Sequence, residues 1–335
     1  DFCLSRGLGD VYKRQIVGHV RGGLGYVTIM AGCLLAALSG SAVADAAALT
    51  ALLLPMMVRA GHDKARAGGL IAATGIIAPV LPPSIGLIIF GVAANVSISK
   101  LFMAGIAPGL MIGMALWFTW WWLVRKDKFV APPRQPRAVV VQALRDAAWA
   151  LMLPVIILVG LRMGVFTPTE AAVVAAVYAL FVSTVIYREL KLGQLYGLFV
   201  SAARTTAVVM LLVAAAMVAA WLITVANLPA AVIDLLEPFL DSPKMLVFVI
   251  MVLVIIVGTA LDMTPTILIL TPVLMPAVIA AGVDPVYFGV MFIINTAIGL
   301  ITPPVGVVLS TVAGVGRMRM DLSLIHISEP TRQAE

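Results

Sequence analysis

Two proline doublets, Pro82-Pro83 and Pro303-Pro304, stand 221 residues apart, each inside a long apolar run. A proline in a helix interior removes a backbone donor and clashes with the preceding turn, at about 3 kcal/mol. The doublets close two longer segments, "PMMVRAGHDKARAGGLIAATGIIAPVLPPSIG" from Pro55 and "PAVIAAGVDPVYFGVMFIINTAIGLITPPVG" from Pro276. At one offset of 221 and without a gap, Pro55, Ala60, Gly61, Asp63, Gly68, Ile77, Pro82 and Pro83 match Pro276, Ala281, Gly282, Asp284, Gly289, Ile298, Pro303 and Pro304. Shared apolar composition does not align Gly, Pro and Asp in this way. The chain contains a repeat, and each copy is expected to break one helix.

The surroundings identify the medium. Hydrophobic residues make up 62% of the chain and charged ones 11%, where a soluble domain has about a quarter charged. Runs such as "TTAVVMLLVAAAMVAAWLITVA", Thr205 to Ala226, reach the roughly 20 residues that a membrane helix needs. An all-α polytopic membrane protein is predicted. The formal charge of +6 does not point to nucleic acid, because the bases lie between apolar runs. Two native histidines, His19 and His62, have no metal-ligand spacing, and Cys33 alone cannot form a disulfide framework, so no transition metal is expected.

Those bases orient the copies. The connector of the first copy carries Arg59, Lys64 and Arg66 and is predicted to be cytoplasmic; its partner "AAGVDP" carries none. Threading the remaining runs puts Arg21, the bases from Arg125 to Arg145, Arg188, Lys191, Arg204, Arg317 and Arg319 inside. Only Lys100, Arg162 and Lys244 fall outside. The two copies therefore read as inverted-topology repeats, a layout common in secondary transporters.

The two ends read as foreign. Asp10 to Gln15 can be encoded by GAT GTG TAT AAG AGA CAG, whose reverse complement encodes Leu322 to Ile327. Residues 1–15 and 322–335 are thus expected to be non-native, derived from a sequencing adapter, and are set aside. The rest divides into a first repeat at 16–124, with a hairpin at 24–57, a broken helix at 67–95 and a following helix at 100–124. A cytoplasmic basic loop at 125–146 and connecting transmembrane helices at 147–226 follow. The second repeat occupies 227–316, with a hairpin at 245–280 and a broken helix at 286–316.

In each copy two short apolar arms flank a polar tip, "SGSAVADAA" and "GTALDMTPT". Arms near 15 residues fall short of a bilayer core, so re-entrant hairpins are predicted. Irregular backbone at that depth requires a protein-lined or watery cavity. Broken helices offer carbonyl oxygens to a cation at one half-helix end and amides to an anion at the other. The candidate binding residues are Ser39, Gly40, Ser41 and Asp45 at the first tip, with Pro82, Pro83 and Ser84 at the first break. At the second tip they are Gly258, Thr259, Asp262 and Thr264, with Asn295, Thr296, Thr302 and Pro303 at the second break. Thr264-Pro265 reads as N-cap and first residue of the outgoing arm. A donor set of hydroxyls, amides and carbonyls suits Na+ better than Ca2+, and ionisable Asp45 and Asp262 at membrane depth default to function. Thr167 and Glu170, around Pro168, read as a capping box. Arg162 and Arg204 are expected at helix edges, and Trp117 to Trp122 as an interfacial belt.

"SGSAVADAAAL", "PPSIG", "LFMAGIAPGL", "FTPTEAA" and "GLITPPVG", in this order over Ser39 to Gly306, resemble the large permease subunit of tripartite ATP-independent periplasmic (TRAP) transporters. The resemblance implies a bacterial inner-membrane, sodium-coupled importer of small carboxylates such as dicarboxylates, keto acids or acidic sugars, with no cofactor beyond the coupling ion. It implies two partners, a small four-helix membrane subunit and a periplasmic solute-binding protein, and an elevator mechanism. The family's chains extend past both ends of this one, which is expected to be truncated. Stand-alone sodium–dicarboxylate carriers share the plan but carry Ser-Asn-Thr tips, absent here. An intramembrane hydrolase would call for a Ser/His, paired-Asp or metal arrangement, and no histidine falls within a span. The expectation is therefore a transporter, not an enzyme.

Overall fold

The computed structural model describes residues 22–125, 137–227, 238 and 242–318. Both terminal segments read as foreign, residues 16–21 and 319–321, half of the basic loop (126–136) and most of 228–241 lie outside them. The described residues form α-helices joined by short turns, with no strand among them.

The first copy contains α1 (Gly23–Ser39), α2 (Ala42–Arg59), α3 (Lys64–Gly75), α4 (Ile85–Ala93) and α5 (Ile98–Val124). Next come α6 (Arg137–Arg162), α7 (Pro168–Phe181), prolonged by a π-helical turn at Val182–Ile186, and α8 (Leu192–Val225). The second copy contains α9 (Pro243–Ala260), α10 (Met263–Ala280), α11 (Pro285–Gly299) and α12 (Val307–Val315). Six helical segments are long and apolar enough to cross a membrane: α2, α5, α7 with its π turn, most of α8, α9 and α10. The protein is a multi-pass membrane protein. The hairpin arms hold 17 or 18 residues each rather than about 15, roughly 27 Å at about 1.5 Å per residue. Three of the four, α2, α9 and α10, are long enough to cross, so arm length does not mark the hairpins as re-entrant.

Prolines interrupt only where they cluster. Pro55, Pro108, Pro154, Pro272 and Pro276 stay inside helices. The residue before a proline is turned away from α geometry, and Pro79, Pro82 and Pro83 impose that restriction three times within "APVLPP". Ile77 and Val80 instead donate to carbonyls three residues back, Thr74 and Ile77, at 3.1 and 3.0 Å, and the helix resumes at Ile85. Both doublets contain a cis peptide bond.

The two copies interlock. α4 packs on α10, and its counterpart α12 packs on α2; each half-helix beyond a break thus covers the outgoing hairpin arm of the other copy. α5 lies across α1, α3, α4 and α11, while α6 and α7 pair with each other and touch the rest through α1 and α5. α8 meets α10 and is otherwise exposed, with no buried residue in its apolar window.

Four further sequence expectations change. Thr264 is not an N-cap: Asp262 holds that position in extended geometry, and Thr264 and Pro265 lie in the first turn of α10, where proline's missing donor has no carbonyl to serve. The basic loop does not reach 146, since α6 is helical from Arg137. Arg204 is internal to α8 rather than at its edge, because "LGQLYGLFVSAA" continues the helix N-terminally. Trp120 is not interfacial. It is buried against Gly25, and its indole N–H donates to the Gly22 carbonyl at 2.9 Å. Trp117, Trp121 and Trp122 are exposed, and the Arg125 guanidinium lies 4.6 Å from the Trp122 ring centre.

Candidate functional site

Each tip is seated on its own copy's break. At the first tip α1 ends on Gly40, in left-handed geometry at φ +62°, and Ser41 caps α2 by accepting from Ala44 N–H at 3.4 Å. Gly40 is there for space as well as for φ. A Cβ on it would stand 2.8 Å from the Pro83 carbonyl oxygen and 3.0 Å from the Ile85 amide nitrogen. Glycine therefore leaves one acceptor and one donor of the break uncovered. Ser84 caps α4, accepting from Leu87 N–H at 3.2 Å, while its hydroxyl donates to the Pro79 carbonyl.

Asp45 lies one turn into α2 and is 3% exposed. Its Oδ1 accepts from the Ser39 hydroxyl, whose oxygen accepts from Ser41 N–H at 3.2 Å. Its Oδ2 is buried without a partner. A carboxylate oxygen in that state costs several kcal/mol unless a cation or donor meets it. The Ser39 side chain and Pro83, whose carbonyl lies beneath the missing Gly40 side chain, line one cavity at this tip.

The second tip repeats the seat with different atoms. Gly258 and Gly299 meet backbone to backbone: a Cβ on Gly299 would lie 2.7 Å from the Gly258 carbonyl carbon. Beyond the break, Gly306 N–H donates to the Thr259 carbonyl at 3.2 Å. Asp262 is exposed, unlike Asp45. Thr302 donates to its own helix at the Ile298 carbonyl, 2.7 Å away, and Pro303 is exposed. Asn295 and Thr296 are buried but spoken for. The Asn295 amide donates to the Met251 carbonyl of α9, and Thr296 donates to Phe292 at 2.9 Å. Asn295 thus ties α11 to α9, Thr296 bonds within α11, and the Thr296 carbonyl oxygen would lie 3.5 Å from a Cβ on Gly258.

The seats adjoin one another. A Cβ on Gly86, in the first turn of α4, would stand 2.7 Å from the sulfur of Met263, the first residue of α10. In the mirrored place a Cβ on Gly75 would lie 3.6 Å from Val308 of α12 and 3.1 Å from the Ala42 carbonyl. Sequence reasoning missed Gly86, Met263, Gly299 and Gly306. The repeat match flags none of the four, because at the offset of 221 they fall on Val307, Ala42, Ala78 and Ile85.

Thr167 and Glu170 close their box at the start of α7. Thr167 N–H donates to the Glu170 carboxylate at 2.8 Å, and Glu170 N–H to the Thr167 hydroxyl at 3.4 Å. Beside them a cavity of about 340 Å3 is bounded by Ser39, Pro83, Ser84 and Ile85 on one side and by α6 and α7 on the other. No group of three or more His, Cys, Asp or Glu is placed to hold a metal among the described residues.

Residues 7–328 match the family described as tripartite ATP-independent periplasmic transporter, DctM component, a range that reaches into both end segments. The chain is 58% identical to the 2,3-diketo-L-gulonate TRAP transporter large permease protein of Escherichia coli, over 95% of this chain and 75% of the relative. It is 41% identical to the sialic acid TRAP transporter large permease protein of Vibrio cholerae, over 91% of this chain and 71% of the relative. It is 36% identical to the C4-dicarboxylate TRAP transporter large permease protein of Pseudomonas aeruginosa, over 94% and 75%. Each of these relatives is named as a transporter permease.

Proposed function

Because this chain belongs to the DctM-component family of tripartite ATP-independent periplasmic transporters, we propose that it carries a small organic acid inward across the bacterial inner membrane, coupled to sodium. In this reading a periplasmic binding protein delivers the acid and a small four-helix membrane subunit completes the complex. The acid is of the sugar-acid kind, since the relative at 58% identity is named for 2,3-diketo-L-gulonate. In this reading the copies are inverted repeats and both tips are re-entrant; Gly40 packing on Pro83 to Ile85, where the second half-helix of a broken span begins, supports it. Interlocked hairpins and broken helices move as one block against α6 and α7, in the manner of an elevator.

One observation carries the proposal most directly. Each hairpin tip meets the break of its own repeat, Gly40 on Pro83 to Ile85 and Thr259 on Gly306, and the two seats touch through Gly86 and Met263. Breaking two spans costs stability at both places, and a structural scaffold has no use for a matched pair. Asp45, Ser39 and the Pro83 carbonyl would hold sodium at the first tip. Na+ supplies the downhill gradient, while the free amides at the start of α4 suit a carboxylate.

Thermal unfolding of the chain with its small subunit, in NaCl against equimolar KCl and choline chloride, tests the coupling. A ligand that binds only the folded state stabilises it by about 2.7 kcal/mol at a hundredfold excess over Kd. A sodium-specific rise that is lost in Asp45→Asn supports the first-tip site. Equal curves in all three salts would remove sodium as the coupling ion.

A further inference from the structure

The cavity beside the first tip is only half built by the hairpin and the break. Its far wall includes Pro168 and five alanines of α7, Ala171, Ala172, Ala175, Ala176 and Ala179, with Leu153 and Ile157 of α6 alongside. Steps of one, three, one and three residues keep all five on one helix face. Around the rest of α7 the exposed side chains are large: Val173, Val177, Leu180 and Phe181. Lipid does not require this division, since it meets small and large apolar groups alike. The methyl-bearing face lines the cavity opposite Ser39, Pro83 and Ser84; Ala171, Ala175 and Ala179 also pack into the core, while Ala172 and Ala176 are left exposed.

The wall is also held in register. The Thr167–Glu170 box fixes where α7 starts, and the Tyr178 hydroxyl donates to the Trp149 carbonyl of α6 at 2.8 Å. We propose that this alanine face sets the size of the transported acid, which lies between α7 and the first tip; the inference rests on the transport function proposed above. Ser39 and Ser84 are the polar side chains of the lining, with their hydroxyl protons already given to Asp45 and the Pro79 carbonyl. The donor the lining offers an acid is thus the amide of Ile85, which has no partner within α4. An acid therefore meets polar groups at one end and methyl groups along its flank. The space, about 340 Å3, falls within the roughly 300–1,000 Å3 of small-molecule pockets. An added Leu side chain at Ala172 or Ala176 would remove a large share of that space.

The test uses the chain with its small subunit in proteoliposomes, with Cys3→Ala and Cys33→Ala as background. Ala176→Cys and Val177→Cys are labelled with anionic 2-sulfonatoethyl methanethiosulfonate and with an apolar maleimide. The expected result is at least tenfold faster sulfonate labelling at 176 than at 177, slowed tenfold by adding Ala172→Leu. Equal, slow sulfonate labelling at both positions, with rapid maleimide labelling at 176, would show a lipid-filled groove and overturn the proposal. Uptake of 2,3-diketo-L-gulonate with the cognate binding protein is read in parallel. Ala176→Leu is expected to lower it more than tenfold and Val177→Leu to leave it unchanged; equal rates in both would also overturn the wall. Absence of sodium-driven uptake of any acid in the unsubstituted protein would instead overturn the transport reading itself.

Discussion

Asp63 and Asp284, 221 residues apart, perform the same act: each caps a helix by accepting from the backbone N–H three residues on, Arg66 and Tyr287, at 2.8 Å. The turns before them are also superposable in their bonding. Gly61 and Gly282 both take positive φ, and His62 and Val283 both donate to a carbonyl five residues back, Met57 and Val278. Asp63→Ala and Asp284→Ala should therefore cost similar stability, about 1 kcal/mol each. The sites share no hydrogen-bond partner, so the double variant should be additive within about 0.5 kcal/mol. Thermal unfolding of the three variants measures this.

Gly40→Ala places a methyl on the Pro83 carbonyl and forces a left-handed backbone on alanine. Uptake is expected to fall at least tenfold, with a folded complex still recovered by size-exclusion chromatography. Full uptake in this variant would place the transported species away from the first tip.

Gly299→Ala has no flexible side chain to displace, because its nearest atoms are Gly258 backbone. Overpacking of this kind costs about 1–3 kcal/mol. Gly69→Ala, with open space around it, should cost nothing and is the control in the same unfolding assay.

Trp120→Phe removes the donor to the Gly22 carbonyl inside the core. An orphaned buried acceptor costs about 1–3 kcal/mol. Trp122→Phe, exposed on the same helix, should stay within about 0.5 kcal/mol. Unequal loss of melting temperature between these two tryptophans is the readout.

Thr167→Ala opens the capping box and should cost about 1 kcal/mol. If the box holds the alanine face in register, uptake should fall further than that destabilisation accounts for, and Thr167→Ser should restore it. A variant that loses stability while keeping its uptake rate would make the box a cap and nothing more.

Much of this architecture was legible because it rests on short-range rules. Proline clusters, the Thr-Pro-Thr-Glu cap and the Gly-Pro-Asp matches act within a turn or two, so a linear pattern carries them. Trp120 was misread because its company in "WFTWWW" suggests an interface, and only Gly25, on another helix, makes room for one indole inside. Asn295 was assigned to the site from its place before a doublet; its bond to the Met251 carbonyl, 44 residues away, has no sign in that local pattern. Asp45 and Asp262 looked equivalent in sequence; one is buried and the other exposed because the two tips sit on their breaks by different atoms. No local rule contains such differences.

The interlock of the copies also has a consequence in time. α2 leaves the ribosome long before α12, its partner from the other copy, whose first residue is Val307 against Arg59 at the end of α2. At about 5–20 residues per second, the first hairpin waits on the order of 10–50 s with an uncovered flank and a polar tip already made. α4 waits likewise for α10. During that interval the first half is an incomplete membrane protein whose surroundings must shield Asp45 and its neighbours. Biogenesis, more than the finished fold, is where the second copy's late arrival is felt.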